Sequence, residues 1–240
     1  MAKVQPSPEP VANWTLASLP RRDYEKLFPD LEPVSLAFGE VLHDAGERIR
    51  FVYFPCGGLI SLLAAEDGGR QAEVAVVGNE GVVGLPVLLG NEVAPHRALV
   101  QGAGPALRMS ADLFRSKARP NELLTTLLLR YTDAFIVQVS QSALCDHLHP
   151  VAKRLCRWLL MAQDRLASDR LPYTQQFLAD ILAVRLATIS EAARPLQQAG
   201  LIHYNRGDLR ILDRPGLERA CCGCYRVIKE RFDALRVSPD

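Results

Sequence analysis

The chain has 240 residues, 48% hydrophobic and 23% charged, and a net charge of +1. That length suffices for two compact domains, each with its own core. The longest apolar runs, such as LISLLAA and VVGLPVLLG, fall well short of the roughly 18 residues of a membrane span, which excludes a spanning helix.

Residues 1–18 read as a flexible tail. MAKVQPSPEP carries prolines and no apolar centre, so it is neither a signal peptide nor an anchor, and the expected location is the cytoplasm. Residues 19–118 read as a β-domain, with helical material at 19–27 (LPRRDYEKL) capping one end. Twelve of the sixteen glycines fall between Gly39 and Gly104. They punctuate the short apolar segments RFVYFP, GLISLLAA, QAEVAVVG, RALVQ and PALRM, the pattern of a barrel or sandwich. GAG at 102–104 has no helical pattern after it and reads as a turn. Residues 119–146 read as one long helix, since neither Pro nor Gly occurs between Pro120 and Pro150. Leu124, Leu128, Tyr131 and Phe135 recur at helical spacing, and Ile136, Leu127, Val139 and Ala143 widen the stripe. This stripe is expected to form a dimer seam on one face and to pack on the β-domain with another. The break at 147–150 (HLHP) marks the domain boundary. A second helix, VAKRLCRWLLMAQDRLA, ends near Ser168, and SDRLPY is a connector.

Residues 173–212 carry the most information. Thr174 is placed to cap a helix. Leu178 and Leu182 lie on its inner face, and the small Ala179 lets a second helix cross closely. That second helix starts near Leu186, turns Ile189, Ala192, Ala193 and Leu196 inward, and stops at Gly200. This is helix-turn-helix spacing. LIHYN and DLRIL then alternate about an Asn-Arg-Gly-Asp turn, a hairpin signal. Helix-turn-helix plus hairpin makes a winged helix, a DNA-reading module. The predicted reading face is Arg185, Thr188, Ser190, Glu191 and Arg194, with Arg206 of the wing on phosphate. Arg185 or Arg194 suits guanine, Glu191 a cytosine amine, and Thr188 and Ser190 thymine or phosphate. Charge agrees: residues 1–146 hold 13 Lys/Arg against 17 Asp/Glu, residues 147–240 hold 15 against 10.

The stretch TQQFLADILAVRLATISEAARPLQQAGLIHYNRGDLRILD, in this order of parts, resembles the Crp/Fnr family of bacterial transcription regulators. The resemblance spans roughly residues 30–232. It implies an α+β chain: an N-terminal β-roll of cyclic-nucleotide-binding type (a jelly roll), a long dimerisation helix, and a C-terminal winged helix-turn-helix over residues 147–240. It further implies a homodimer on double-stranded, palindromic DNA, with RNA polymerase and a small-molecule effector as further partners and no membrane. The effector pocket would involve Gly84, Leu85, His96 and Arg97. Leu85 stands where nucleotide-binding members carry a ribose-holding Glu, and His96 where they carry the phosphate-holding Arg. These departures argue against cAMP or cGMP. Haem, which some members carry, stays open, and no cofactor is assigned. At the DNA end, Leu186 and Ala187 replace the Arg and Glu of better-known members. Pro195 lies inside the second helix, and Ala183 replaces the usual turn glycine. An alternative function is a ligand-responsive adaptor whose winged helix binds protein.

The six cysteines form no double CxxC, so no metal site is assigned. CCGCY at 221–225 reads as terminal-helix packing and CDHLH at 145–149 as a polar hinge. The motifs of phosphate-binding, zinc-protease and serine-hydrolase chemistry are missing, and no enzyme activity is expected.

Overall fold

The computed structural model describes residues 12–205 and 207–236. Residues 12–18 are not a loose tail. Asn13 is fully buried: it accepts from the Leu16 N–H to cap α1 (Trp14–Ala17) and donates to the carbonyls of Pro55 and Gly81. The part of the predicted tail at 1–11 lies outside the described residues. α2 (Arg21–Leu27) forms within the predicted helical stretch 19–27.

The strands β1 (Glu32–Leu36), β2 (Val41–His43), β3 (Phe51–Pro55), β4 (Leu59–Ala65), β5 (Gln71–Val77), β6 (Arg97–Gly102) and β7 (Gly104–Ser110) form two antiparallel sheets. Their orders are β1-β7-β3 and β2-β6-β4-β5. The sheets enclose apolar residues from both, among them Leu36, Tyr53, Ile60, Val77 and Val100. The chain passes between the sheets at GAG. A Cβ on Gly104 would lie 2.7 Å from the Gly57 carbonyl, so only glycine lets the two backbones approach this closely.

α3 (Ala111–Ala118) leads into α4 (Glu122–Leu148), capped by Asn121. α4 runs two residues past the predicted end. His147 and Leu148 remain helical, and only His149 and Pro150 break the chain before α5 (Val151–Leu166). Leu124, Leu128 and Tyr131 are at most 1% exposed. The Tyr131 ring meets Phe232, and its hydroxyl donates to the Val82 carbonyl at 3.4 Å. These three are core residues, so the predicted seam is corrected. Exposed instead are Leu129, Ile136, Leu144 and Leu148. No helix among the described residues is long and apolar enough to cross a membrane.

α5 is buried from Leu155 to Gln163. It docks on the β-roll through polar links. Arg165 pairs with Glu80 at 2.8 Å, with both side chains at most 6% exposed. Trp158 Nε1 donates to Glu73 at 2.7 Å, and Glu73 also accepts from Ser61. Gln138 of α4 donates to the Val76 carbonyl and accepts from Arg165. Removing one partner of such a buried ion pair typically costs about 3–5 kcal/mol.

Burial pushes the Glu73 carboxyl up to about 7, against the opposing hydrogen bonds of Ser61 and Trp158 and the charges of Arg157 and Arg165. A carboxyl that holds its proton more tightly in the folded chain stabilises the fold at pH below its unfolded value, near 4.5. That contribution is lost as pH rises through about 7. Glu73 should therefore cost stability on the order of 2–3 kcal/mol between about pH 5 and pH 8. Unfolding free energies of wild type and Glu73→Gln across that range check this. The difference between the two should grow in favour of the Gln variant as pH rises, and a constant difference would contradict it.

Candidate nucleic-acid interface

The C-terminal part builds around α6 (Gln175–Ile181) and α7 (Leu186–Gln198). Thr174 caps α6, its hydroxyl accepting from the Phe177 N–H at 3.0 Å. Leu178, Ala179 and Leu182 are buried, as are Ile189, Ala192, Ala193 and Leu196 of α7. Ala183 in the connecting turn has φ of 51°, the left-handed region the replaced glycine would suit, at a cost of about 1 kcal/mol. α7 continues through Pro195 to Gln198, and Gly200 follows at φ 69°. The proline thus leaves the leading end of α7 untouched.

The wing is a three-stranded sheet. β8 (Arg170–Leu171) pairs with β10 (Asp208–Ile211), which pairs with β9 (Ile202–Asn205). β8 falls in the predicted connector and is too short to show alternation. α8 (Arg214–Ala220) and α9 (Gly223–Asp233) complete the domain, and α9 packs back on α4.

The leading tip of α7 is open. Arg185, Leu186, Ala187, Glu191 and Arg194 are exposed, and Thr188 is half-buried. Ser190 differs from expectation: its hydroxyl bonds the Gln175 side-chain oxygen at 2.5 Å, tying α7 to α6 and leaving it a positioning role. Arg206 lies outside the described residues. Arg185 occupies the N-cap without a side-chain hydrogen bond, and no acidic residue lies in the first turn. The start of α7 thus has no side-chain cap and no acidic residue to offset the positive end of its dipole, a setting that suits phosphate. Leu186, 44% exposed at this tip, suits a thymine methyl. In the sequence Leu186 is marked only by its departure from pattern; its exposure is what makes it a contact candidate. An open cleft of about 980 Å³ separates the β4–β5 hairpin from the turn before α7.

The effector-pocket residues divide between the sheets. Gly84, at φ 101°, and Leu85 lie beside β3, where Val83 exchanges backbone hydrogen bonds with Tyr53. Leu85 packs against the core. Arg97 opens β6, and its guanidinium pairs with Asp44 at 3.4 Å. His96 and nearby His43 are both held below the ordinary imidazole range by burial. A carboxylate already beside Arg97 opposes an anionic ligand there.

A β-roll, a long helix and a winged helix whose second helix has an exposed leading end define a winged-helix protein with an attached β-roll domain. The Crp-like helix-turn-helix domain family matches residues 153–220. FixK2 from Bradyrhizobium japonicum has a similar structure, with a TM-score of 0.68 at 17% identity, covering 80% of this chain and 98% of that one. The c-di-GMP responsive global regulator CLP of Xanthomonas campestris gives 0.63 at 15%, covering 80% and 99%. A CRP-family transcriptional regulator from Thermus thermophilus gives 0.65 at 18%, covering 78% and 95%. No curated protein matches the sequence. Residues 153–220 match the Crp-like helix-turn-helix domain, and the chain shares the fold of these solved regulators.

Arg185 and Arg194 are the exposed cations of α7. Replacing both with Ala should weaken binding to a preferred duplex about 10- to 100-fold per lost guanine contact while leaving the fold intact. Fluorescence anisotropy on preferred and scrambled duplexes measures it. Unchanged preference would show that other residues read the bases.

Proposed function

We propose that this chain is a sequence-specific DNA-binding transcription regulator that acts as a homodimer on a palindromic operator, in the cytoplasm, without control by cAMP. The observation that carries the reading is the open tip of α7, held on a buried winged-helix core. In the major groove, that tip puts Arg185, Leu186, Thr188 and Glu191 at base edges, with Arg194 one turn behind.

The homodimer reading rests on α4. Its inner face is spent on the β-roll and on α9, and Leu129, Ile136, Leu144 and Leu148 remain exposed at intervals of seven, eight and four residues. These intervals keep them on one stripe of the helix. A second copy packed along that stripe would present two α7 tips to one face of a duplex, about one helical turn apart. The reading against cAMP rests on Leu85 in place of a ribose acceptor and on Asp44 beside Arg97. A small-molecule effector would act by changing how α5 seats on the roll, and RNA polymerase would be met from the DNA-bound dimer.

Selection from a random duplex library with the full-length chain tests the whole reading. The expected result is an inverted repeat whose half-sites are about one helical turn apart, bound more weakly as salt rises. A folded protein that enriches no sequence would contradict it and favour a protein-binding adaptor.

A further inference from the structure

Two motifs far apart in the sequence, CDHLH at 145–149 and CCGCY at 221–225, meet in the fold. Cys145 lies in the last turn of α4 and His149 is its C-cap, four residues apart and so on one side of the helix. Cys222 is the N-cap of α9, and Cys224 is the second residue of that helix. The ligand atoms of these four residues all lie within 4.8 Å of one another. Cys145 Sγ is 3.5 Å from Cys222 Sγ, and Cys224 Sγ is 3.7 Å from His149 Nδ1. With zinc–sulfur bonds of about 2.3 Å and zinc–nitrogen bonds of about 2.0–2.1 Å, the edges of a tetrahedron are about 3.8 Å and 3.5 Å. These two separations lie within a few tenths of an ångström of the corresponding edges, and the remaining pairs of the set lie within 4.8 Å. The Cys145–Cys222 separation is too long for a disulfide, whose S–S bond is about 2.05 Å.

The surroundings fit as well. Cys145, Cys224 and Cys222 are 0%, 4% and 9% exposed, so the site is closed to solvent except beside the half-buried His149. Three thiolates and an imidazole on a divalent ion leave one net negative charge. The Arg157 guanidinium, 5% exposed, lies near enough for its charge to act on Cys145 and Cys224, and its Nε has no hydrogen-bond partner among the described residues. The first N–H groups of α9 add positive potential at Cys222. Cys221 is excluded from the set, its sulfur turning toward the Lys153 carbonyl at 3.9 Å.

We propose that Cys145, His149, Cys222 and Cys224 form a tetrahedral zinc site that pins the start of α9 to the junction of α4 and α5. Soft thiolate donors with one imidazole select zinc over hard cations such as magnesium or calcium. Binding releases the thiol protons to solvent and closes the fourth position, so the ion is structural and has no open site for a substrate. The ion ties the C-terminal helix to the point where the β-roll part of the chain passes into the winged helix.

The test uses the full chain purified under reducing conditions, with metal content measured by inductively coupled plasma mass spectrometry. The expected result is about one zinc per chain. It should be lost in Cys222→Ser and in Cys224→Ser and kept in Cys221→Ser, whose sulfur neighbours the site without joining it. In case those variants fail to fold, the wild-type chain is stripped of metal and titrated with cobalt(II). The spectrum should show tetrahedral d–d bands and a thiolate charge-transfer band. Added zinc should then shield Cys145, Cys222 and Cys224 from alkylation while leaving Cys56 as reactive as before. A folded, reduced wild-type chain that takes up neither ion would overturn the proposal. So would zinc retained by the folded Cys222→Ser and Cys224→Ser variants, an iron–sulfur cluster in place of zinc, or a Cys145–Cys222 disulfide.

Discussion

The structure depends on α5 being buried along its length and on opposite sides. α5 carries Lys153, Arg154, Arg157, Asp164 and Arg165, yet Leu155, Cys156, Trp158, Leu159, Leu160, Met161 and Ala162 are buried in sequence, because the helix is covered by the winged helix on one side and by the β-roll on another. The Trp158 ring meets Tyr173 at 5.2 Å and Phe177 at 5.8 Å, and those two rings stack at 4.5 Å. Each such aromatic pair adds about 0.5–1.5 kcal/mol beyond its buried area. Trp158 also donates to Glu73, and the Tyr173 hydroxyl donates to the Gln101 carbonyl at 3.0 Å. One aromatic cluster therefore holds the helix-turn-helix core and the roll together. The orientation of α7 relative to the roll is set by this cluster and by the Arg165–Glu80 pair, not by a free hinge.

That arrangement explains what each face of the chain can do. α7 spends its inner face on the winged-helix core and turns its outer residues to solvent. α4 is covered by the roll on one side and by α9 on another, which leaves a single apolar stripe exposed. Arg231 of α9 pairs with Asp133 of α4, and the Arg236 guanidinium lies 3.8 Å from the centre of the Trp14 ring, so the C-terminal segment locks α4 against the N-terminal helix. Contacts that cross between the chain ends and its middle make the β-roll and the winged helix one body.

Local patterns were legible in the sequence and long-range ones were not. The cap at Thr174, the inward set Ile189, Ala192, Ala193 and Leu196, the stop at Gly200 and the strands on either side of Gly207 all follow from spacing within a few residues. The strain at Ala183 was legible for the same reason. Which stripe of α4 faces its own chain was not, because Leu124, Leu128 and Tyr131 are as apolar as Leu129, Ile136 and Leu144, and only the packing of α9 and the roll separates them. The burial of Asn13 depends on carbonyls 42 and 68 residues away, and nothing around Asn13 signals it. The meeting of Cys145 and His149 with Cys222 and Cys224 was hidden likewise, since neither motif holds enough ligands alone. Helical periodicity puts Ser190 at the edge of the outer face, and its bond to Gln175 of the preceding helix, a contact across 15 residues, is not legible in local spacing.

The central claim is that the tip of α7 reads base edges in the major groove of two half-sites. Methylation interference on a selected duplex tests it most directly, because dimethyl sulfate modifies guanine N7 in the major groove. The account predicts that methylated guanines block binding in two clusters about one helical turn apart, related by the symmetry of the site. Interference confined to adenine N3 in the minor groove, or none at all under tight binding, would contradict it.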